Sequence, residues 1–223
     1  RFEQLYPGET FAPWDWAFVA EVVRRERYDL DLDALAPYLA VDKVLSAVYG
    51  AAERLYGVTF VRRPELRGHT AEAEVYEVLD ADGSTVGLFV MDFWARPTKM
   101  GGAWMNNIVD ASGLLGELPV VTNNCNYPKG TTTITCDGVV TMFHEFGHAL
   151  HGLFAASKYP SHSGTSTPRD FVEFPSQVNE HWAWTPGRVL PAEWVERLTA
   201  ASQFGQGYAT AETEISSLLD LVW

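Results

Sequence analysis

The sequence has only two cysteines in 223 residues, Cys125 and Cys136, and they are not spaced as CxxC. A chain of this length can bury a hydrophobic core without a disulfide framework, so a reducing compartment such as the cytoplasm is the simpler expectation. It has no run of 18 apolar residues, so no membrane-spanning segment and no membrane partner are expected. Positive charge is also scarce: 16 Lys and Arg stand against 29 Asp and Glu, a formal net charge of −13. The densest basic groups are Arg24-Arg25-Glu26-Arg27 and Arg62-Arg63. Nucleic-acid binding needs clustered cations to neutralise phosphates, so no nucleic-acid partner is expected.

The chain is instead rich in the makings of a core. Hydrophobic residues make up 47% and charged residues 20%, a balance typical of a folded globular region rather than a disordered one. Apolar periodicity predicts helices over residues 14–27 and 41–55, the second stopped by Gly57. Residues 73–79 and 86–93 are rich in Val, Tyr, Leu and Phe, with Asp82-Gly83 between them, the pattern of an antiparallel hairpin. Residues 96–102 read as a loop, 103–109 as a short apolar stretch and 118–122 as a further strand. Helical patterns return at about 139–155, 170–184, 192–201 and 208–223. The expected architecture is mainly α with a small antiparallel β-sheet (α+β), without a linker or an internal repeat. Residues 1–223 are expected to form a single catalytic-core region. The chain opens on Arg1, and its last apolar-periodic helix lacks a Gly or Asn stop, so a fragment of a longer polypeptide is expected.

The segment Phe143-His144-Glu145-Phe146-Gly147-His148 contains H-E-x-x-H. Residues four apart share a helix face, so the imidazoles of His144 and His148 can meet one ion. Glu145 lies about 100° further round the helix, placed to reach a water without entering the coordination sphere. Met142, Phe143, Phe146, Leu150 and Leu153 imply that this helix is buried, where idle histidines would be costly. His151 shares the face but stands about 10 Å along the axis from His144. It suits a structural role, or one behind the ligands, better than ligation. A carboxylate from the next helix would complete a two-His, one-carboxylate zinc site; by spacing, Asp170, Glu173 and Glu180 all qualify. Glu180, seven residues beyond Glu173, suits orienting a ligand histidine from behind. Glycine costs roughly 1 kcal/mol against alanine inside a helix, so Gly147 predicts that another backbone packs closely there.

The run 143–154 resembles the active-site helix of the thimet oligopeptidase and peptidyl-dipeptidase family of zinc peptidases. Residues 163–177, with Arg169-Asp170-Phe171-Val172-Glu173-Phe174-Pro175, resemble its bacterial peptidyl-dipeptidase (dipeptidyl carboxypeptidase) branch. So do Asn179-Glu180-His181-Trp182, Gly101-Gly102-Ala103-Trp104-Met105 and Phe204-Gly205-Gln206-Gly207-Tyr208. The likeness is tight from about residue 90 onward and looser before it. It implies Glu173 as third ligand of one Zn2+, and a zincin-like helical core enclosing a channel. It further implies hydrolysis of short peptides with release of carboxy-terminal dipeptides. It also implies partner segments of the same polypeptide: an amino-terminal helical part and a carboxy-terminal segment with a His and several Tyr, neither matched here. Gly101, Gly102 and Ala103 are expected at a sheet edge, pairing with substrate backbone. The alternatives are an internally cutting oligopeptidase and a non-catalytic, zinc-braced peptide-binding module.

Overall fold

The computed structural model describes all 223 residues. In chain order the elements are α1 (Phe2–Leu5), α2 (Trp16–Tyr28), α3 (Val41–Tyr56), β1 (Thr59–Arg62), β2 (Glu74–Leu79), β3 (Thr85–Trp94), β4 (Trp104–Val109) and β5 (Val120–Tyr127). Then follow α4 (Cys136–Leu153), α5 (Arg169–Val172), α6 (Phe174–Glu180), α7 (Ala192–Ala201) and α8 (Gln206–Val222). They form two compact units, Arg1–Leu35 with Leu190–Trp223, and Ala36–Val189. No helix is long and apolar enough to cross a membrane.

In the first unit α2 packs on α7, and Trp16 stacks on Tyr208 with ring centroids 4.4 Å apart. Asp29 ends α2 in the left-handed conformation, and Arg197 of α7 donates to its carbonyl and carboxylate. Both partners are solvated, so that ion pair adds little stability.

The second unit is a five-stranded sheet in the order β1-β2-β3-β5-β4, with α4 against one face. The antiparallel sheet expected from sequence is therefore mixed. β1/β2, β2/β3 and β4/β5 are antiparallel, but β3 and β5 run parallel, with Leu88 opposite Val120 and Asp92 opposite Asn124. After β3 the chain passes to the outer edge, forms β4, and returns between them as β5. The hairpin expected around Asp82-Gly83 is present as β2/β3, with Gly83 at φ +83°. The sequence pattern marks only a short apolar stretch where β4 lies and no element where β1 lies. β4 escapes pattern reading because its alternation is inverted: Asn107 turns inward while Ile108 is 56% exposed.

α4 is the central element. Thr135 caps it by accepting from the N–H of Gly138, and Val139, Phe143, Phe146, Ala149 and Leu153 are buried. Each large side chain among these contributes roughly 1.5–3 kcal/mol by leaving water. Phe146 meets Phe89 of the sheet edge-on at 5.5 Å, inside an aromatic cluster with Tyr49 and Phe60. α3 packs against α4 and ends at Gly57, φ +76°, as its sequence suggests. The helix expected over 170–184 is broken. Pro175 in the first turn of α6 has no N–H to continue the ladder of α5, and the chain divides at Glu173 into α5 and α6.

Candidate active site

α6 crosses α4 at Gly147. A Cβ there would lie 2.7 Å from Cα of Ser176 and 3.0 Å from the carbonyl oxygen of Pro175. The helix glycine thus marks the backbone contact its position suggests. Asn179 fastens the crossing by donating from Nδ2 to the carbonyl of Phe143 at 2.6 Å. This crossing brings the α5–α6 junction, and Glu173 on it, over the face of α4 that carries His144 and His148.

His144, His148 and Glu173 converge there. Oε2 of Glu173 lies 3.2 Å from Nε2 of His144 and 3.1 Å from Nε2 of His148. Together they form a group whose donor atoms could hold one metal ion. Nδ1 of His144 faces Oε1 of Glu180 at 2.7 Å. A carboxylate only accepts, so Nδ1 donates in this contact, and Nε2 is the ring nitrogen that faces Glu173. His148 is buried, and burial pushes its pKa below the ordinary histidine value, with the nearby Glu173 carboxylate opposing the shift. Its Nδ1 has no hydrogen-bond partner. For Glu173, burial pushes upward, but the hydrogen bond from Ser176 and the two imidazoles hold the carboxyl below the usual range. Oγ of Ser176 lies 3.0 Å from that same Oε2. Ser176 was missed in the sequence; a serine three residues after a carboxylate carries no signal until the chain is seen to turn there.

Glu145 is 7% exposed, and burial raises its carboxyl above the usual range, with His144 opposing and Glu173 reinforcing the shift. His151 stands apart from the donor group: its ring lies 6.3 Å from that of Phe171, and its Nδ1 is buried without a partner. Asp170, the other acid weighed from spacing, is not in the donor group. Both cysteines are free thiols outside it, and burial pushes Cys125 up to about 12, so it stays protonated. Gly101, Gly102 and Ala103 precede β4, which is an edge strand of the sheet.

The sequence model of peptidase family M3 matches residues 3–223. The chain belongs to peptidase family M3. It is 46% identical to dipeptidyl carboxypeptidase of Salmonella typhimurium over 97% of this chain and 34% of that protein. With dipeptidyl carboxypeptidase of Escherichia coli the identity is 45% over the same shares. Oligopeptidase A of Salmonella typhimurium is 32% identical over 88% of this chain and 32% of its own length. This M3 chain spans about a third of the length of the curated relatives it matches.

Proposed function

We propose that this chain carries the zinc-binding, peptide-hydrolysing centre of a peptidase that releases dipeptides from the carboxyl end of short peptides. The observation that carries this reading is the meeting of His144, His148 and Glu173 beside the buried Glu145. Two ligands at Zn–N and Zn–O distances of about 2.0–2.1 Å in tetrahedral arrangement lie roughly 3.3 Å apart. The separations of 3.1 and 3.2 Å between Glu173 and the imidazoles fit that figure. The donor chemistry fits too, since two imidazoles and one carboxylate are a set that catalytic zinc sites use. The side chain of Glu173 is half exposed and that of His144 a quarter exposed, which leaves the group open to solvent on one side.

When bound there, zinc supplies Lewis acidity, making a water easier to deprotonate and a scissile carbonyl easier to attack. Glu145 is the general base: its carboxylate accepts the proton of the attacking water and returns it to the departing amine. Its raised pKa makes it a stronger base toward the proton of the attacking water. Glu180 fixes the orientation of His144, and the residues from Gly101 into β4 offer an unpaired strand edge to an extended peptide. In this reading the α4–α6 crossing is a zincin-like core. Two free thiols are compatible with a reducing compartment such as the cytoplasm.

The higher identity to dipeptidyl carboxypeptidases than to oligopeptidase A favours dipeptide release over internal cutting. Product analysis on an amino-blocked hexapeptide with the full-length, zinc-loaded protein tests the choice. Carboxy-terminal dipeptides support it, and internal fragments indicate the oligopeptidase alternative. No hydrolysis by zinc-loaded protein would favour a non-catalytic zinc-braced module.

A further inference from the structure

Residues 95–103 join β3 to β4, and the path is constrained. The chain leaves β3, passes the end of β5 and starts β4 at the outer edge of the sheet. The N–H of Ala95 donates to the carbonyl of Tyr127 at 2.9 Å, fixing the departure. Lys99 then turns its ammonium group inward, where its side chain is 1% exposed. It donates to the carbonyls of Asp92 at 2.8 Å and Trp94 at 3.1 Å, and lies 3.0 Å from the Asp92 carboxylate. Arg96 and His69 meet that same carboxylate.

The last tie comes from β5. Nδ2 of Asn126 donates to the carbonyls of both Met100 and Gly102, the latter at 2.8 Å. These two carbonyls bracket Gly101, at the turn that launches the edge strand. Packing does not hold the turn, because a Cβ on Gly101 or Gly102 would meet nothing within 4 Å. Gly102 needs its glycine for a φ of +83°, whereas Gly101 has no such demand. Space beside both glycines is therefore open, with room for another backbone to approach, and the two bonds from Asn126 tie the turn to β5.

We propose that Asn126 is a positioning residue for the substrate. By holding the carbonyls of Met100 and Gly102 it sets the register in which residues 101–103 and the start of β4 offer free backbone groups to an extended peptide. This rests on the edge-pairing reading proposed above, and it names the side chain that keeps the edge in shape. Asn126 is partly exposed and outside the hydrophobic core, so its replacement is expected to leave the fold intact.

The test uses full-length, zinc-loaded protein carrying Glu145→Gln, so that peptide binds without being turned over. Calorimetry gives the Kd of a short peptide and of analogues N-methylated at single backbone positions, with Asn126 intact, as Asn126→Ala, and as Asn126→Asp. The aspartate keeps the size but loses both donors. With Asn126 intact, methylation at a pairing position weakens binding at least about tenfold; both variants bind the parent peptide on the order of tenfold more weakly, and the methylation penalty shrinks to about twofold. Zinc content stays at one per chain throughout. Variants that keep the parent affinity overturn the proposal. So do variants that weaken every analogue equally while preserving the methylation penalty, which is the mark of a merely structural side chain. If the protein with Asn126 intact binds peptide but shows no methylation penalty at any position, the edge-pairing reading itself fails, a result distinguishable from the other two.

Discussion

Oε1 of Glu180 stands 2.7 Å from Nδ1 of His144, behind the ring whose Nε2 faces Glu173. A carboxylate in that position raises the basicity of the imidazole and locks its orientation. Glu180→Ala is expected to lower zinc affinity by roughly 10–100-fold while the protein stays folded, as judged by chelator competition and circular dichroism. Unchanged affinity would reduce Glu180 to a surface acid.

Ser176 makes the corresponding contact with the third donor, at 3.0 Å from Oε2 of Glu173. Ser176→Ala removes the hydroxyl without changing the backbone. Zinc affinity is expected to fall by about tenfold, the lower end of what such supporting contacts contribute, because both imidazole donors and the Glu173 carboxylate itself are left in place. The same chelator competition reads it.

Gly147→Ala separates crowding from helix propensity. In an open helix this change would stabilise by about 1 kcal/mol. Here the new Cβ would press on Cα of Ser176 at 2.7 Å. A net loss of about 1–3 kcal/mol in denaturant unfolding is expected, the range for overpacked contacts, with weaker zinc binding because α6 carries Glu173 outward. A stabilised variant would show that α6 does not lie where the crossing puts it.

Asp92 supports the β3–β4 connection from below. Its carboxylate is buried, and although burial pushes its pKa upward, Arg96, His69 and Lys99 hold it below the usual value. A depressed folded pKa contributes stability above the unfolded value that is lost as pH falls through the folded one; this loss is thus expected only below about pH 4. Asp92→Asn leaves Lys99 buried against a neutral partner, and about 3–5 kcal/mol of destabilisation is expected at neutral pH in urea unfolding. The difference between this variant and the parent should narrow in acid.

Much of the geometry of the candidate site was legible in the sequence, and the reasons are local. The His144–His148 spacing works because α4 is a regular helix, and the apolar residues around it announce its burial. Gly147 was informative because a helix tolerates glycine poorly without cause. Choosing Glu173 over Asp170 and Glu180 needed the resemblance to known peptidases, since spacing alone left all three open. Pro175, which divides α5 from α6 where Glu173 turns toward the histidines of α4, stands in plain view in the sequence, but the helical pattern runs across it. The hairpin β2/β3 could be read from its turn. The parallel pairing of β3 with β5 could not, because no local pattern records that the chain visits the outer edge before returning. β4 was hidden for another reason: Asn107 faces α4 and Ile108 faces solvent, the reverse of the usual alternation. Asn126 and Lys99 carry ordinary residue types, and only their partners reveal them.

The most direct test of the central claim is zinc stoichiometry together with peptide turnover in Glu145→Gln, measured on the full-length protein beside the unmodified form. One zinc per chain in both proteins, with hydrolysis lost by about a hundredfold or more in the variant, is the result expected of a general base outside the coordination sphere. Loss of the metal along with activity, or turnover close to that of the unmodified protein, would contradict the assignment of Glu145.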